Sequence, residues 1–376
     1  MEVYFDNSAT TKPNKEVIEC VTEVLTNNYG NPSSLHRMGL NAEKAVKYAR
    51  TVIADKMGVD EKQVFFTSGG TESNNIAILG SLNALRNKGT VITSKVEHKS
   101  VTECFKKLEQ QGYDVKYVDV TKEGIVDINQ LESFIDEKTL LVSIMHVNNE
   151  TGAIMPIEKI AQIIKDKNPN TLFHVDDVQG FLKVPLSYKN IDLVSVSAHK
   201  VNGLKGCGAV YIKKGVKISP VILGGGQENG IRNGTENVPG IVGFGKAAEI
   251  YENSFNVRVK EYIIDFVTKE IEGTVINSFD NASKYILNLS VLGFKSETLL
   301  HLLEQNGIYV SSGSACSSNK PQLSHVLLSM GLSKDTVESS IRLSFCNENT
   351  IDEAKYFCEC LKSAVLANKF VRRKYK

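Results

Sequence analysis

The chain has 376 residues, too many for one small core and enough for a large domain with a smaller one beside it. Hydrophobic residues make up 41% and charged residues 23%, and 44 Lys+Arg against 43 Asp+Glu leave a net charge of +1, which argues against a nucleic-acid surface spread over the whole fold. The start, Met1 to Asp6, lacks the basic region and apolar core of a signal peptide, and no stretch approaches the roughly 18 apolar residues of a membrane span, so a cytoplasmic location is expected.

Helix-like and strand-like patterns alternate from about residue 15 to 215. Between Asn41 and Met57, Ala42, Ala45, Val46, Ala49, Val52 and Ile53 recur at spacings of three and four, which predicts a helix. Thr71 to Leu85 reads the same way. Strand-like runs are predicted at Val64–Phe66, Val91–Ser94, Val115–Val118, Leu140–His146, Leu172–Val175, Leu193–Ser197 and Ala209–Ile212. Most are short, apolar and rich in Val and Ile, as buried strands of a largely parallel sheet are. The alternation predicts an α/β sandwich with helices on both faces. A long amphipathic pattern from Val238 to Ile271 links this unit to a second, α+β one with a strand at Tyr285–Val291, a helix near Glu297–Asn306, a strand at Ile308–Ser311 and a last helix from Ile351 to about Ala367. The expected division is 15–250 for the large domain and 1–14 with 251–376 for the small one. The tail from Lys369 carries five basic residues and reads as a solvated end or as a docking tail for an acidic partner.

The seven cysteines, at 20, 104, 207, 316, 346, 358 and 360, form no tight framework and fit free thiols in a reducing compartment. Thr67-Ser68-Gly69-Gly70-Thr71-Glu72 follows a predicted strand and opens a helix. Its glycines let backbone approach a ligand, and the helix start offers free N–H groups to a phosphate; a capped helix behind a tight turn is the plainer reading. Lys200 ends the strand-like run from Asp192, and Asp176, with Gln179 near it, lies just past the run before that. A lysine so placed can form a Schiff base with pyridoxal phosphate, and an aspartate one strand away can keep the pyridine nitrogen protonated. Metal ligation by His174 and Asp176 with His146 or His199 is a rival, without a tight ligand cluster to support it. Ser197-Ala198-His199-Lys200 also has the Ser-x-x-Lys spacing of some serine hydrolases, but their Ser-Asp-Asn and Lys-Thr-Gly tripeptides are missing. His98, between a strand and a helix, is a capping residue or one that stacks on a planar cofactor and moves protons. Leu223 to Thr235 is glycine-dense and fits a loop pressed on a ligand or another subunit. Cys316 sits among small residues in Ser311–Ser318, where a thiol can swing and be solvated. Arg342, in an apolar and hydroxyl setting, suits a clamp on a carboxylate or a structural ion pair.

In this order and spacing, these segments resemble the cysteine desulfurases of the NifS/IscS type, members of the class V aminotransferase family with the fold-type I architecture of pyridoxal-phosphate enzymes. The resemblance runs nearly end to end. It includes Tyr4–Thr11, Asn31–His36, Thr67–Asn74, Met145–Gly152, Asp176–Gln179, Ser197–Lys200, Gly224–Thr235, Ser311–Ser318 and Arg342. It implies that Lys200 holds pyridoxal phosphate and later moves the substrate Cα proton. Asp176 would pair with the ring nitrogen and Gln179 with the ring oxygen, while His98 would stack on the ring. Gly70, Thr71, Ser197 and His199 would bind the phosphate, with Thr235 reaching over from the other subunit of a homodimer. Asn149 and Arg342 would hold the substrate carboxylate. Cys316, on a mobile loop of about 311–325, would take sulfur from L-cysteine as a persulfide, leave L-alanine, and pass the sulfur to an acceptor protein for iron–sulfur clusters or tRNA thiolation. Asp177, Asn202, Leu204 and Asn229 depart from the usual pattern, which bears on rate, cofactor affinity and acceptor choice. A selenocysteine lyase or other β-eliminating lyase, or a desulfurase-like scaffold without turnover, are the alternatives.

Overall fold

The computed structural model describes residues 1–312 and 323–367. After a short strand β1 (Val3–Tyr4) and two helices (Lys15–Asn27, Arg37–Met57), the chain lays down β2 (Val64–Thr67), β3 (Thr90–Ser94), β4 (Asp114–Val118), β5 (Thr139–Met145), β6 (Leu172–Asp176), β7 (Leu193–Ser197) and β8 (Gly208–Ile212). These seven form one sheet in the order β2-β8-β7-β6-β5-β3-β4, parallel except for β8, which runs against both its neighbours. Every residue of β2, β3, β7 and β8 is buried. That explains why the strands read as continuous apolar runs: helices cover both faces, so both must be apolar.

The second unit holds β9 (Thr274–Ile276), β10 (Ile286–Val291), β11 (Ile308–Tyr309) and β12 (Ser340–Ser344). β10 is the centre of an antiparallel sheet with β12 and β9 on its two sides, and β1 pairs in parallel with β11. This unit has a core of its own, in which Phe5 meets Phe345 and Phe357 edge-on at 5.1 and 5.9 Å. The N-terminus is therefore anchored in the second unit before the chain enters the large sheet.

Two predicted helices differ in detail. The span from Val238 to Ile271 is two helices, Val238–Ile250 and Arg258–Glu270. Asn253 in the break donates to the Lys183 carbonyl and accepts from the Tyr285 hydroxyl, and Asn256 accepts from the Arg258 N–H. These bonds offer the backbone a turn in place of a continuous helix. The helix expected at Thr71–Leu85 starts at Gly70, widens into a π-type turn at Ile76–Gly80 and ends at Asn83. There the Gly80 carbonyl accepts from the Ser219 N–H, and the Ser81 hydroxyl bonds back to the Ala77 carbonyl. Among the described residues no helix is long and apolar enough to cross a membrane.

Candidate active site

Strands β2, β3, β5, β6 and β7 run the same way, so their carboxyl ends open on one edge of the sheet, where open α/β sheets bind ligands. The loops after these strands, the segment 6–9 and Arg342 on β12 enclose a cavity of about 440 Å³. Gly70, Thr71, His98, Asn149, Asp176, Gln179, Ser197, His199, Lys200 and Arg342 all line it. Thr235 is exposed and does not line this cavity. Cys316 lies outside the described residues; Ser312 and Leu323, which flank its segment, both line the cavity.

Asp176 ends β6 and is buried. Its Oδ2 accepts from Asn74 Nδ2 at 2.8 Å and its Oδ1 from the Val178 N–H at 3.1 Å. Asn74 also donates to Ser100 Oγ at 2.8 Å, and that hydroxyl lies 2.8 Å from His98 Nδ1. His98 caps the helix Lys99–Gln110, with Nδ1 accepting from the Ser100 N–H at 3.2 Å. Nδ1 is thus an acceptor, and the neutral ring carries its proton on Nε2. Burial pushes the His98 pKa down, opposed by the negative charge of Asp176. The capping and cavity-lining roles left open by the sequence are combined in one residue.

A turn of 3₁₀ helix, Ala198–Lys200, follows β7 and carries Lys200 to the cavity. Lys200 Nζ donates to the carbonyls of Ser8 and Ala9 at 2.5 and 2.8 Å, and Gln179 Nε2 donates to the same Ser8 carbonyl at 3.0 Å. Ser197 Oγ is buried with no hydrogen-bond partner among the described residues, as is Gln179 Oε1. A Cβ on Gly70 would lie 2.6 Å from Val178 Cγ2, so a larger residue there would force the Val178 side chain to shift. His199 Nδ1 is 3.2 Å from Thr10 Oγ1, and burial holds its ring neutral, with a pKa pushed down to about 4. A lysine amine, a buried carboxylate, and an unpartnered hydroxyl beside Gly70 and Thr71 at a helix start fit the aldehyde, ring nitrogen and phosphate of pyridoxal phosphate.

Arg342 is buried. Its Nη2 donates to Asp6 Oδ1 at 2.7 Å and its Nη1 to the Asn149 carbonyl at 3.0 Å; its Nε has no partner among the described residues. Two further acids line the cavity. Glu97 accepts from Ser94 Oγ and the Met145 N–H, while burial pushes its carboxyl up to about 8. Glu150 accepts from Ser324 Oγ at 2.5 Å, and burial pushes it up to about 7. Asp6, Asn74, Glu97, Ser100 and Glu150 received no role from the sequence. Asp6, Asn74 and Glu150 had a pointer, since all three fall within segments that carry the family resemblance; Glu97 and Ser100 had none.

The departures from the family pattern have structural explanations. Asp177 is buried away from the cavity, with Oδ1 2.6 Å from His146 Nδ1. Asn202 has φ +62°, which asparagine tolerates, and bonds Thr11 Oγ1 and the Lys12 carbonyl. Asn229 has φ +55° in a turn and Leu204 packs on Val17 and Val21. The His174 ring is taken up by Ser143 and Ser195 at 2.8 and 3.0 Å inside the sheet, so it is not a ligand facing the cavity.

The chain matches the family model for aminotransferase class-V over residues 3–357. It is 43% identical to a cysteine desulfurase of Trichormus azollae, over 93% of this chain and 89% of that one. It is also 43% identical to the cysteine desulfurase IscS of Methanosarcina thermophila, over 96% and 92%. Among solved structures, one titled as a NifS-like protein superposes with a TM-score of 0.92 at 40% identity, covering 98% of this chain and all of that one.

Proposed function

The chain belongs to the aminotransferase class-V family and is a cysteine desulfurase, and from that premise we propose how its own residues divide the work. The carrying observation is that Lys200 and Asp176, at the ends of neighbouring strands, line one cavity with a Ser197 hydroxyl that has no partner among the described residues. In this reading Lys200 holds pyridoxal phosphate, Asp176 pairs with its ring nitrogen, Gln179 with its ring oxygen, and Gly70, Thr71, Ser197 and His199 hold its phosphate. When bound, the cofactor supplies an electron sink next to the substrate Cα. Arg342 and Asn149 orient the carboxylate of L-cysteine. Lys200 Nζ would take the Cα proton, and His98 Nε2 would assist its movement. Cys316 Sγ, as a thiolate, attacks the substrate sulfur: the S–S bond forms, the Cβ–S bond breaks, and Cβ gains a proton. The products are L-alanine and a persulfide on Cys316.

The persulfide sulfur passes to an acceptor protein for iron–sulfur cluster assembly or tRNA thiolation. The enzyme works as a cytoplasmic homodimer in which Thr235 of each subunit reaches the other's cofactor phosphate. The division into 15–250 and 1–14 with 251–376 belongs to the same reading.

The test is the visible absorbance of the purified protein, followed by addition of L-cysteine with a thiol reductant and assay of alanine and sulfide. A cofactor band with equal yields of the two products is expected. Cys316→Ala should keep the band and lose sulfide release; release at the wild-type rate would sink Cys316 as nucleophile, and a missing band would sink Lys200.

A further inference from the structure

The N-terminal segment does more than start the fold. Asp6 forms an isolated bridge with Ser344 at the end of β12, and the Ser344 N–H donates to the Phe5 carbonyl at 2.7 Å. The Asn7 N–H donates to the Ser344 carbonyl and the Ser8 N–H to Ser344 Oγ at 2.8 Å. The segment is therefore fixed along β12, two residues from Arg342. Two residues past Asp6 it also holds the other side of the cavity, because the Ser8 carbonyl accepts from both Lys200 and Gln179.

Asp6 itself lines the cavity and ion-pairs with the buried Arg342 guanidinium at 2.7 Å. Arg342 is held from a second direction by the Asn149 carbonyl. A long side chain at a cavity wall would otherwise sample several rotamers, and each bound carboxylate would have to order it. Held by two acceptors, the guanidinium keeps one orientation. Among the described residues its Nε–H and one N–H on each Nη have no partner.

We propose that Asp6 is a positioning residue that orients Arg342 to receive the α-carboxylate of the amino-acid substrate. This inference rests on the reading of Arg342 as the carboxylate clamp. Asp6 acts through Arg342 and takes no part in proton or sulfur transfer. Removing it therefore weakens binding of ground state and transition state alike, which raises KM and leaves kcat little changed.

The experiment uses the holoenzyme with L-cysteine. Asp6→Asn is expected to raise KM roughly tenfold or more with kcat within about threefold, as loss of uniform binding does. Asp6→Glu, which keeps the charge, should recover part of the loss. L-alanine, the carboxylate-bearing product, should lose inhibitory potency in parallel with the rise in KM. An unchanged or lowered KM in Asp6→Asn overturns the proposal, as does an equal loss in the asparagine and glutamate variants. If Asp6→Asn does not fold, Asp6→Ser is read by the same criteria. Arg342→Gln separates the two levels. If it raises KM while Asp6→Asn does not, the positioning role alone fails. If it leaves KM unchanged, the carboxylate clamp and the role of Asp6 fall together.

Discussion

Asp177 and His146 form a buried pair behind the cavity wall, and the pair shapes its surroundings. A Cβ on Gly180 would collide with Asp177 Oδ1 and His146 Nδ1, so the pair and the glycine come as a set. The His146 backbone N–H also donates to the Asp176 carbonyl at 2.9 Å, which ties the pair to the strand end that carries Asp176. Asp177→Ala should destabilise the protein by roughly 3 kcal/mol in denaturant titration, as removing one partner of a buried hydrogen-bonded pair does. Asp177→Asn should lose less, since its amide can still bond the ring. Glu97 gives a pH prediction. Its pKa rises from 4.5 to about 8 on burial, with Ser94 and the Met145 N–H opposing. Between those values the folded state keeps a proton that the unfolded state has lost. Its effect on stability is therefore unfavourable as pH rises through that window, and acidification restores the loss. Glu97→Gln, neutral throughout, should show a flatter melting temperature against pH over the same window; an unchanged slope would count against a neutral Glu97.

At the scale of elements, the site is made by strand ends and the turns that follow them. The turn from β2 into its helix carries glycine at position 70, where the backbone passes close to the Val178 side chain. Gly70→Ala is an overpacking change, typically costing about 1–3 kcal/mol. If the carboxyl end of β2 holds the phosphate, that strain falls on cofactor binding. Reconstitution of the apo-protein with pyridoxal phosphate should then show roughly tenfold weaker affinity, about 1.4 kcal/mol. Affinity equal to wild type would mean that the phosphate sits elsewhere. The helix that follows is interrupted by its π-type turn because Gly80 turns its carbonyl toward Ser219. That bond ties the helix that starts at Gly70 to the segment leading into the glycine-dense loop.

The whole molecule has an apolar surface that one chain does not cover. Leu223 is 84% exposed, with Ile222 and Val221 beside it at 45% and 39%, all at the entrance to the loop that carries Thr235. Neighbouring exposed aliphatic residues at a glycine-dense loop fit contact with a second copy. Sedimentation should give twice the 41.4 kDa chain mass. Leu223→Asp should shift the population toward monomer and weaken pyridoxal phosphate binding together. A monomeric wild type would remove Thr235 from the site.

What the sequence determined by itself follows from local pattern. Val- and Ile-rich runs located the strands of the large sheet because both faces are buried, and parallel strands bring their carboxyl ends to one edge. Lys200, Asp176, His98 and Gly70 could therefore be placed at strand ends, while the readings of His98 and Gly70 stayed open until the structure put all four around one cavity. Arg342 was marked by its apolar and hydroxyl setting and Asn149 by the family resemblance alone, and both line the cavity. The tertiary structure alone decided the partners. Asp6 and Arg342 are 336 residues apart, Asn74 and Asp176 are 102 apart, and His146 and Asp177 are 31 apart. No periodicity or turn signal records such pairs, because each exists only after two separate segments have packed. The break between Ile250 and Arg258 was hidden for the same reason: its amphipathic pattern continues, and the bonds that end the helix come from Lys183 and Tyr285, far away in the chain. The raised carboxyls of Glu97 and Glu150 likewise belong to the fold, since burial, not residue type, sets them.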